Sequence, residues 1–290
     1  MRILLTGKNG QLGRCFLDVA SAEHDVLGFG SDELDISDAS QVAERIAQVK
    51  PDIIVNAAAY TAVDKSEEDR ERAYAVNELG VKYLAEQAAL LDIPVIHVST
   101  DYVFDGRAVT PYLPSDQTNP QGVYGASKLA GEKALAAATT KYIVLRTAWV
   151  FSEYGNNFVK TMIRLAKERD TLGVVADQYG CPTYAGDLAL VIKQLCEQYQ
   201  AKHDLPWGGY HYCGDMPTSW HGFARTIFAL AKEQGVIESI PKLNAISSDQ
   251  YPTPVKRPEY SVMDLKRLDE LRVKASQWVG SLNQVLERLK

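Results

Sequence analysis

Three glycines, Gly7, Gly10 and Gly13, lie between a short apolar run, Arg2–Thr6, and an amphipathic stretch. No other feature of the chain restricts its fold as much. Arg2–Thr6 reads as a buried strand. Leu12, Cys15, Phe16, Val19 and Ala20 recur at helical intervals along one face. A glycine turn between strand and helix lets the backbone bend tightly and approach a pyrophosphate, which the helix N-terminus then attracts. The spacing is G-x-x-G-x-x-G, a variant of the dinucleotide-binding turn.

The alternation continues through the first half. Val26–Phe29 reads as a second strand, and Ser37 as the cap of a helix with Val42, Ile46 and Val49 inward. Asp52–Val55 is a third strand, followed by a long helix from about Glu67 to Leu90. Pro94–Val98 is a fourth strand, a helix starts near Gly122 and runs into the 130s, and Tyr142–Arg146 is a fifth strand. Short strands alternating with helices pair in parallel through right-handed crossovers. The expected class is α/β: a Rossmann-type doubly wound parallel sheet with a smaller C-terminal substrate-binding lobe. Ligands bind such a sheet at the carboxyl ends of its strands.

The second half is less regular. Leu172–Val175 is expected as a sixth strand. Phe158–Ala166, Leu188–Leu195, a segment capped by Ser219, and Trp278–Leu289 carry helical patterns. Residues 1–150 are thus expected to be mainly the dinucleotide-binding domain. Residues 151–290 are expected to be mainly the substrate lobe, with some segments returning to the sheet. Two loops, Gly106–Pro120 and Asp249–Pro258, hold three prolines each, and loops of this length are often functional.

Composition narrows the partners. A net charge of −6 and a pI near 5.5 argue against nucleic acid and anionic membrane. No run approaches the roughly 20 apolar residues of a membrane span, and no targeting segment is visible, so a cytoplasmic location is expected. Cys15, Cys181, Cys196 and Cys213 form no Cys-x-x-Cys pair, and the five histidines show no ligand spacing. No metal is expected.

Tyr124 and Lys128 stand four residues apart, which on a helix places a phenol beside an ammonium. A cation favours the phenolate. Bringing a tyrosine from its ordinary pKa of about 10 to neutrality takes roughly 4 kcal/mol. Lys128 and an oxidised nicotinamide together could supply it. The second strand ends Gly28-Phe29-Gly30-Ser31, with neither the acid that holds an adenosine ribose nor an arginine for a 2′-phosphate. Both NADPH and NADH are therefore expected to serve.

The combination resembles the extended short-chain dehydrogenase/reductases. It comprises Gly7–Gly13, Asn56-Ala-Ala-Ala59, Ser99-Thr-Asp101 and Tyr124-x-x-x-Lys128, in that order. Several further motifs are similar to the dTDP-4-dehydrorhamnose reductases. These are Ser99-Thr-Asp-Tyr-Val-Phe104, Arg146-Thr-Ala-Trp-Val150, Asp177-Gln-Tyr-Gly180, Pro182-Thr183 and the Tyr251–Pro258 loop. The resemblance spans nearly the whole chain.

It implies reduction of the 4-keto group of a dTDP-6-deoxyhexose by NADPH or NADH. Tyr124 would donate the proton. Lys128 would hold the nicotinamide ribose and tune Tyr124, and Thr100 would orient the keto oxygen. Thr100, Asp101, Trp149 and Arg257 would contact the substrate, Arg257 through the diphosphate. Gly7, Gly10, Gln11, Leu12, Gly13, Ala59, Tyr60 and Thr61 would line the cofactor, with Asp35 and Ile36 flanking the adenine. Some relatives use a glutamate for a magnesium ion between subunits. Here Cys15 takes that place, so monomer and homodimer stay open. The alternatives are another nucleotide-sugar reductase or epimerase on the same scaffold, or a non-catalytic NADP-binding regulatory subunit. Asp101-Tyr102 lacks the second acid of the related dehydratases.

Overall fold

The computed structural model describes all 290 residues. Its centre is a six-stranded parallel sheet. The strands are β1 (Arg2–Thr6), β2 (Asp25–Phe29), β3 (Ile53–Asn56), β4 (Val95–Thr100), β5 (Tyr142–Thr147) and β6 (Gly208–His211). Their order across the sheet is β6-β5-β4-β3-β1-β2. The direction of winding reverses at β1, so a crevice opens beyond the carboxyl ends of β1 and β3, where ligands bind sheets of this kind.

Both faces of the sheet are covered, which is why β1 and β3 read as continuous apolar runs rather than alternating ones. On one face α1 (Gln11–Ala20) packs with a helix from far along the chain, Ala185–Lys202, through Phe16, Leu188, Ile192 and Leu195. On the other, α2 (Ala39–Val49) contributes Val42 and Ile46. The helical run that ends in Gly80–Leu90 contributes Val81 and Leu84, and Leu135 comes from the helix Val123–Ala138. A separate core holds the second lobe together, where Phe223, Ile227 and Phe228 meet Trp278, Leu282 and Leu286. The helix Ala185–Lys202 and strand β6 return from the second half to the sheet.

Four details differ from the sequence expectations. Asp38, not Ser37, caps α2, accepting from the backbone N–H of Ser40 (2.9 Å) and Gln41 (3.2 Å); the Ser37 hydroxyl instead donates to Asp35 at 2.7 Å. The long helix is not uniform: Arg70–Tyr74 and Gly80–Leu90 flank a π-helical stretch, Ala75–Leu79. Thr171–Val175 is a strand, but it pairs with Lys242–Ile246 in a two-stranded sheet of the second lobe. The sixth strand of the main sheet is Gly208–His211, which opens on two glycines and so carried too short an apolar pattern to stand out.

The glycine turn is set by contact distances. Gly7 has φ +72°, and a Cβ there would lie 2.7 Å from the Ala57 carbonyl. A Cβ on Gly13 would lie 2.2 Å from the Gly7 carbonyl oxygen and 2.7 Å from Lys8 Cα. These neighbours are backbone and cannot rotate away. Gly13→Ala is therefore expected to destabilise the protein by about 1–3 kcal/mol or more, the usual cost of overpacking. Urea unfolding would measure it; an unchanged midpoint would show that the turn can yield.

Candidate active site

A cleft of about 800 Å³ lies beyond the carboxyl ends of β1, β3 and β4. Every residue expected to line a cofactor borders it except Gly13, which is buried under the turn. Gly10 precedes α1 without a side-chain cap, so the first N–H groups of that helix face the cleft. With the side-chain-free approach at Gly7, this is a surface that fits a pyrophosphate. Ala57, Ala58 and Ala59 leave β3 as a wall of small residues, and Tyr60 is tied down through both its backbone groups by Asn77 (2.9 and 3.1 Å).

The adenosine end is more charged than the sequence suggested. Glu33 folds back beneath the tip of β2. Its carboxylate accepts from the Gly30 backbone N–H at 2.9 Å and pairs with Lys8 at 2.5 Å. Asp35 borders the cleft, but its carboxylate accepts from Ser37 and Arg72. Burial tends to raise its pKa, and these hydrogen bonds outweigh that and hold it below the usual value.

A second cavity, of about 660 Å³, lies between the sheet and the second lobe. The two cavities share Asp101, Tyr102 and Trp149. Trp149 has φ +50°, a backbone conformation rare and strained for a bulky side chain. It is held there by stacking on Trp220 at 3.6 Å, and by Gly180, where a Cβ would lie 2.7 Å from the indole.

Arg257 reaches the rim of this second cavity, but its guanidinium is already engaged. It pairs with Asp64 at 2.5 Å and donates to the Tyr102 hydroxyl at 3.2 Å.

The polar groups where the cavities meet are buried. Thr100 accepts from the Tyr102 N–H at 3.2 Å, which turns the chain after β4, and donates to Asp101 at 3.1 Å. Asp101 is 2% exposed, and its Oδ2 has no partner. Burial pushes its carboxyl up to about 6, against the pull of polar neighbours that include the Thr100 hydroxyl.

Tyr124 starts the helix Val123–Ala138, with its ring edge-on to Tyr102. Burial drives its phenol well above the ordinary value; the Thr100 hydroxyl pulls the other way, and Asp101 adds to the rise. Lys128 is itself lowered to about 8 by burial, against the pull of Glu132. Its Nζ donates to the Val98 carbonyl at 2.7 Å and lies 3.4 Å from His97. A phenol raised in this way holds its proton at neutral pH.

Residues 1–290 match the family model described as the RmlD substrate binding domain. The chain belongs to this family. It is 46% identical to dTDP-4-dehydrorhamnose reductase of Aggregatibacter actinomycetemcomitans over 98% of each chain. With the enzyme of Escherichia coli K12 it shares 39% identity over 100% of this chain and 98% of that one. Among solved structures, dTDP-4-dehydrorhamnose reductase of Bacillus anthracis in complex with NADP superposes with a TM-score of 0.91. The two are 35% identical and 99% of each chain is covered.

Reading the RmlD pattern from sequence alone missed the supports of the site. Asn77 links Tyr60 to Ser127, donating to the Ser127 hydroxyl at 3.0 Å; its place in the π-helical stretch leaves no mark in apolar periodicity. Gln11 spans the two halves by accepting from Ser152 and Asn157 at 2.9 Å each. His97 shares with the other histidines the lack of any ligand spacing. The one signal was its position within an otherwise apolar strand, Pro94–Val98.

Cys15, where some relatives have a glutamate, is 2% exposed. Burial, with Glu153 and Asp18 adding to it, pushes its thiol up to about 12. A thiol so protonated is a poor metal ligand.

The raised carboxyl of Asp101 has a signed consequence. Its folded pKa lies above the unfolded value, so the cost to folding grows as the pH rises from about 4 and is complete once it passes about 6. Asp101→Asn should therefore stabilise the free protein at pH 8, by at most about 3 kcal/mol. The gain should shrink toward pH 4, where the wild-type carboxyl is protonated as well. Thermal melting at the two pH values checks this, and an equal difference at both would contradict it.

Proposed function

We propose that the chain reduces the 4-keto group of dTDP-4-dehydro-L-rhamnose to give dTDP-L-rhamnose, with NADPH or NADH as the reductant. The observation that carries this reading is the position of Tyr124. It is a half-buried phenol, its pKa raised above the ordinary value, that lines the cofactor cleft beside the residues that the cleft shares with the second cavity. The full-length likeness to curated dTDP-4-dehydrorhamnose reductases supports it.

The reduced nicotinamide, when bound, supplies the hydride for C4 of the sugar. The residues that would hold it are Gly7, Gly10, Gln11 and Leu12 at the pyrophosphate, Asp35 and Ile36 at the adenine, Ala59, Tyr60 and Thr61 along the wall, and Lys128 at the ribose. Gly13 serves by letting α1 close on the turn.

Tyr124 gives its proton to the oxygen that becomes the C4 hydroxyl. Thr100 and Tyr124 converge on that oxygen and stabilise the developing charge. Asp101, with a free Oδ2, accepts from a sugar hydroxyl. Trp149 offers an apolar face to the ring. Arg257 turns from Asp64 to the substrate diphosphate, a group its planar fork of donors suits. All these groups come from one chain, so a monomer or a homodimer would serve. No helix is long and apolar enough to cross a membrane, and we place the enzyme in the cytoplasm with its nucleotide-sugar substrate.

A turnover assay with dTDP-4-dehydro-L-rhamnose tests the reading. Both NADPH and NADH are expected to support it, because Gly30 and Ser31, which border the cleft at the tip of β2, supply neither an acid to exclude a 2′-phosphate nor an arginine to demand one. A preference for NADH above about a thousandfold, roughly 4 kcal/mol, would contradict that expectation. Absence of turnover with either would refute the assignment.

Tyr124→Phe keeps the ring and removes the acidic hydrogen. Turnover should fall about a hundredfold to ten-thousandfold, the usual worth of a positioned acid, with cofactor affinity nearly unchanged. Lys128→Met should lower both. Near-normal turnover by the Tyr124→Phe enzyme would assign the proton to another group.

A further inference from the structure

His97 is fully buried on β4, and its ring bridges two polar groups. Nδ1 lies 3.1 Å from Asn56 Nδ2, and Nε2 lies 3.4 Å from Lys128 Nζ. The position of the ring proton follows from the neighbours. Asn56 Oδ1 accepts from the Ala58 backbone N–H at 3.1 Å and from the Thr6 hydroxyl at 2.6 Å. Turning the carboxamide over would set its NH₂ against the Ala58 N–H, so the NH₂ must face the imidazole. An amide NH₂ only donates, hence His97 Nδ1 is the acceptor. Burial holds the ring neutral, and a neutral ring with an accepting Nδ1 carries its proton on Nε2. That N–H points at Lys128. An ammonium has three donors and no lone pair and would be repelled; a neutral amine has a lone pair to receive the hydrogen.

We propose that His97 is a positioning residue that donates its Nε2–H to Lys128 and so favours the neutral amine in the cofactor-free site. The chain of donors runs from Thr6 to Asn56, and from Asn56 through His97 to Lys128. It begins at the end of β1, beside the glycine turn, and ends at the amine proposed to hold the cofactor ribose.

The other groups around Lys128 leave this polarity in place. Glu132, on the same helix, favours the ammonium, but its carboxylate is held by Arg146 at 2.7 and 3.0 Å. Tyr124, also on that helix, is a neutral phenol. From the end of β4, Asp101 acts on Tyr124. The Val98 carbonyl takes one Lys128 hydrogen. Burial lowers Lys128 to about 8 against the pull of Glu132, and the facing N–H acts in the same direction as burial. By lowering the share of ammonium beside Tyr124, His97 favours the protonated phenol before either ligand arrives.

The inference rests on the roles given above to Tyr124 and Lys128, but its test needs no turnover and so fails separately from them. Wild-type protein labelled with ¹⁵N-histidine is examined without cofactor by long-range ¹H–¹⁵N NMR at about pH 7, and the His97 signal is identified by its loss in His97→Gln. The expected result is an unprotonated Nδ1 and a protonated Nε2. A protonated Nδ1 would mean that Lys128 donates to His97 as an ammonium, and the proposal would fall.

A second measurement follows the ¹³Cε shift of Lys128 in lysine-labelled protein. In His97→Leu the Lys128 titration should move up by about one pH unit, because the facing N–H dipole is gone. In His97→Gln it should stay near the wild-type value, since the amide can turn its oxygen to Asn56 and its NH₂ to Lys128. A downward shift or none in His97→Leu would overturn the proposal even if the variant's stability is unaffected. The wild-type tautomer decides the matter if that variant does not fold.

Discussion

The contact of backbone with backbone at the glycine turn underlies the rest of the site. Gly13 in α1 rests against the Gly7 carbonyl, and Gly7 rests against Ala57 at the end of β3. These two approaches bring strand, turn, helix and neighbouring strand closer than any side chain would allow. The N-terminus of α1 then faces the crevice where the sheet reverses its winding, and the residues after β3 form its opposite wall. Had either glycine a side chain, the helix would stand off from the turn and its free N–H groups would be displaced with it.

The electrostatics of the site follow from depth more than from net charge. The protein carries −6 overall, yet the groups that matter are buried and shifted toward their neutral forms. Tyr124 is raised, Asp101 is raised to about 6, and Lys128 is lowered to about 8. One buried pair stays ionic: Arg146 and Glu132 satisfy each other, and Arg146 also donates to the Pro114 carbonyl in the proline-rich loop. That pair ties β5 to the helix carrying Tyr124 and Lys128. Removing one partner alone would leave an uncompensated charge, costing on the order of 3–5 kcal/mol.

Much of this was legible before any coordinates. Strands β1 to β5 stand out as short apolar runs, and the helices between them show apolar periodicity, because a helix packed on a sheet buries one face only. The Tyr124 and Lys128 pair and the glycine turn are local in sequence and could be read directly. What escaped is set by distant contacts. Strand β6 begins Gly208-Gly209 and gains its burial from Tyr210 and Tyr212 against the sheet. Thr171–Val175 has a strand's composition, but nothing local says which sheet it joins. Ser37 and Asp38 are both good caps, and the choice fell to Asp38 because Asp35 takes the Ser37 hydroxyl. The desolvation of Tyr124 and Lys128 is set by the packing of distant elements, which spacing along a helix does not register.

The two cavities touch only through Asp101, Tyr102 and Trp149, and otherwise have separate linings. This gives the protein a partition with consequences for how such a chain can diversify. Substitutions around Arg164, Gln178 or Tyr251 alter the second chamber without touching the glycine turn. Changes at Gly30, Ser31 or Asn9 alter the first without touching the second. Each chamber can drift under its own selection, and the narrow shared wall is where drift in one is felt in the other. Trp149, locked between Trp220 and Gly180 in a strained backbone, makes that wall rigid.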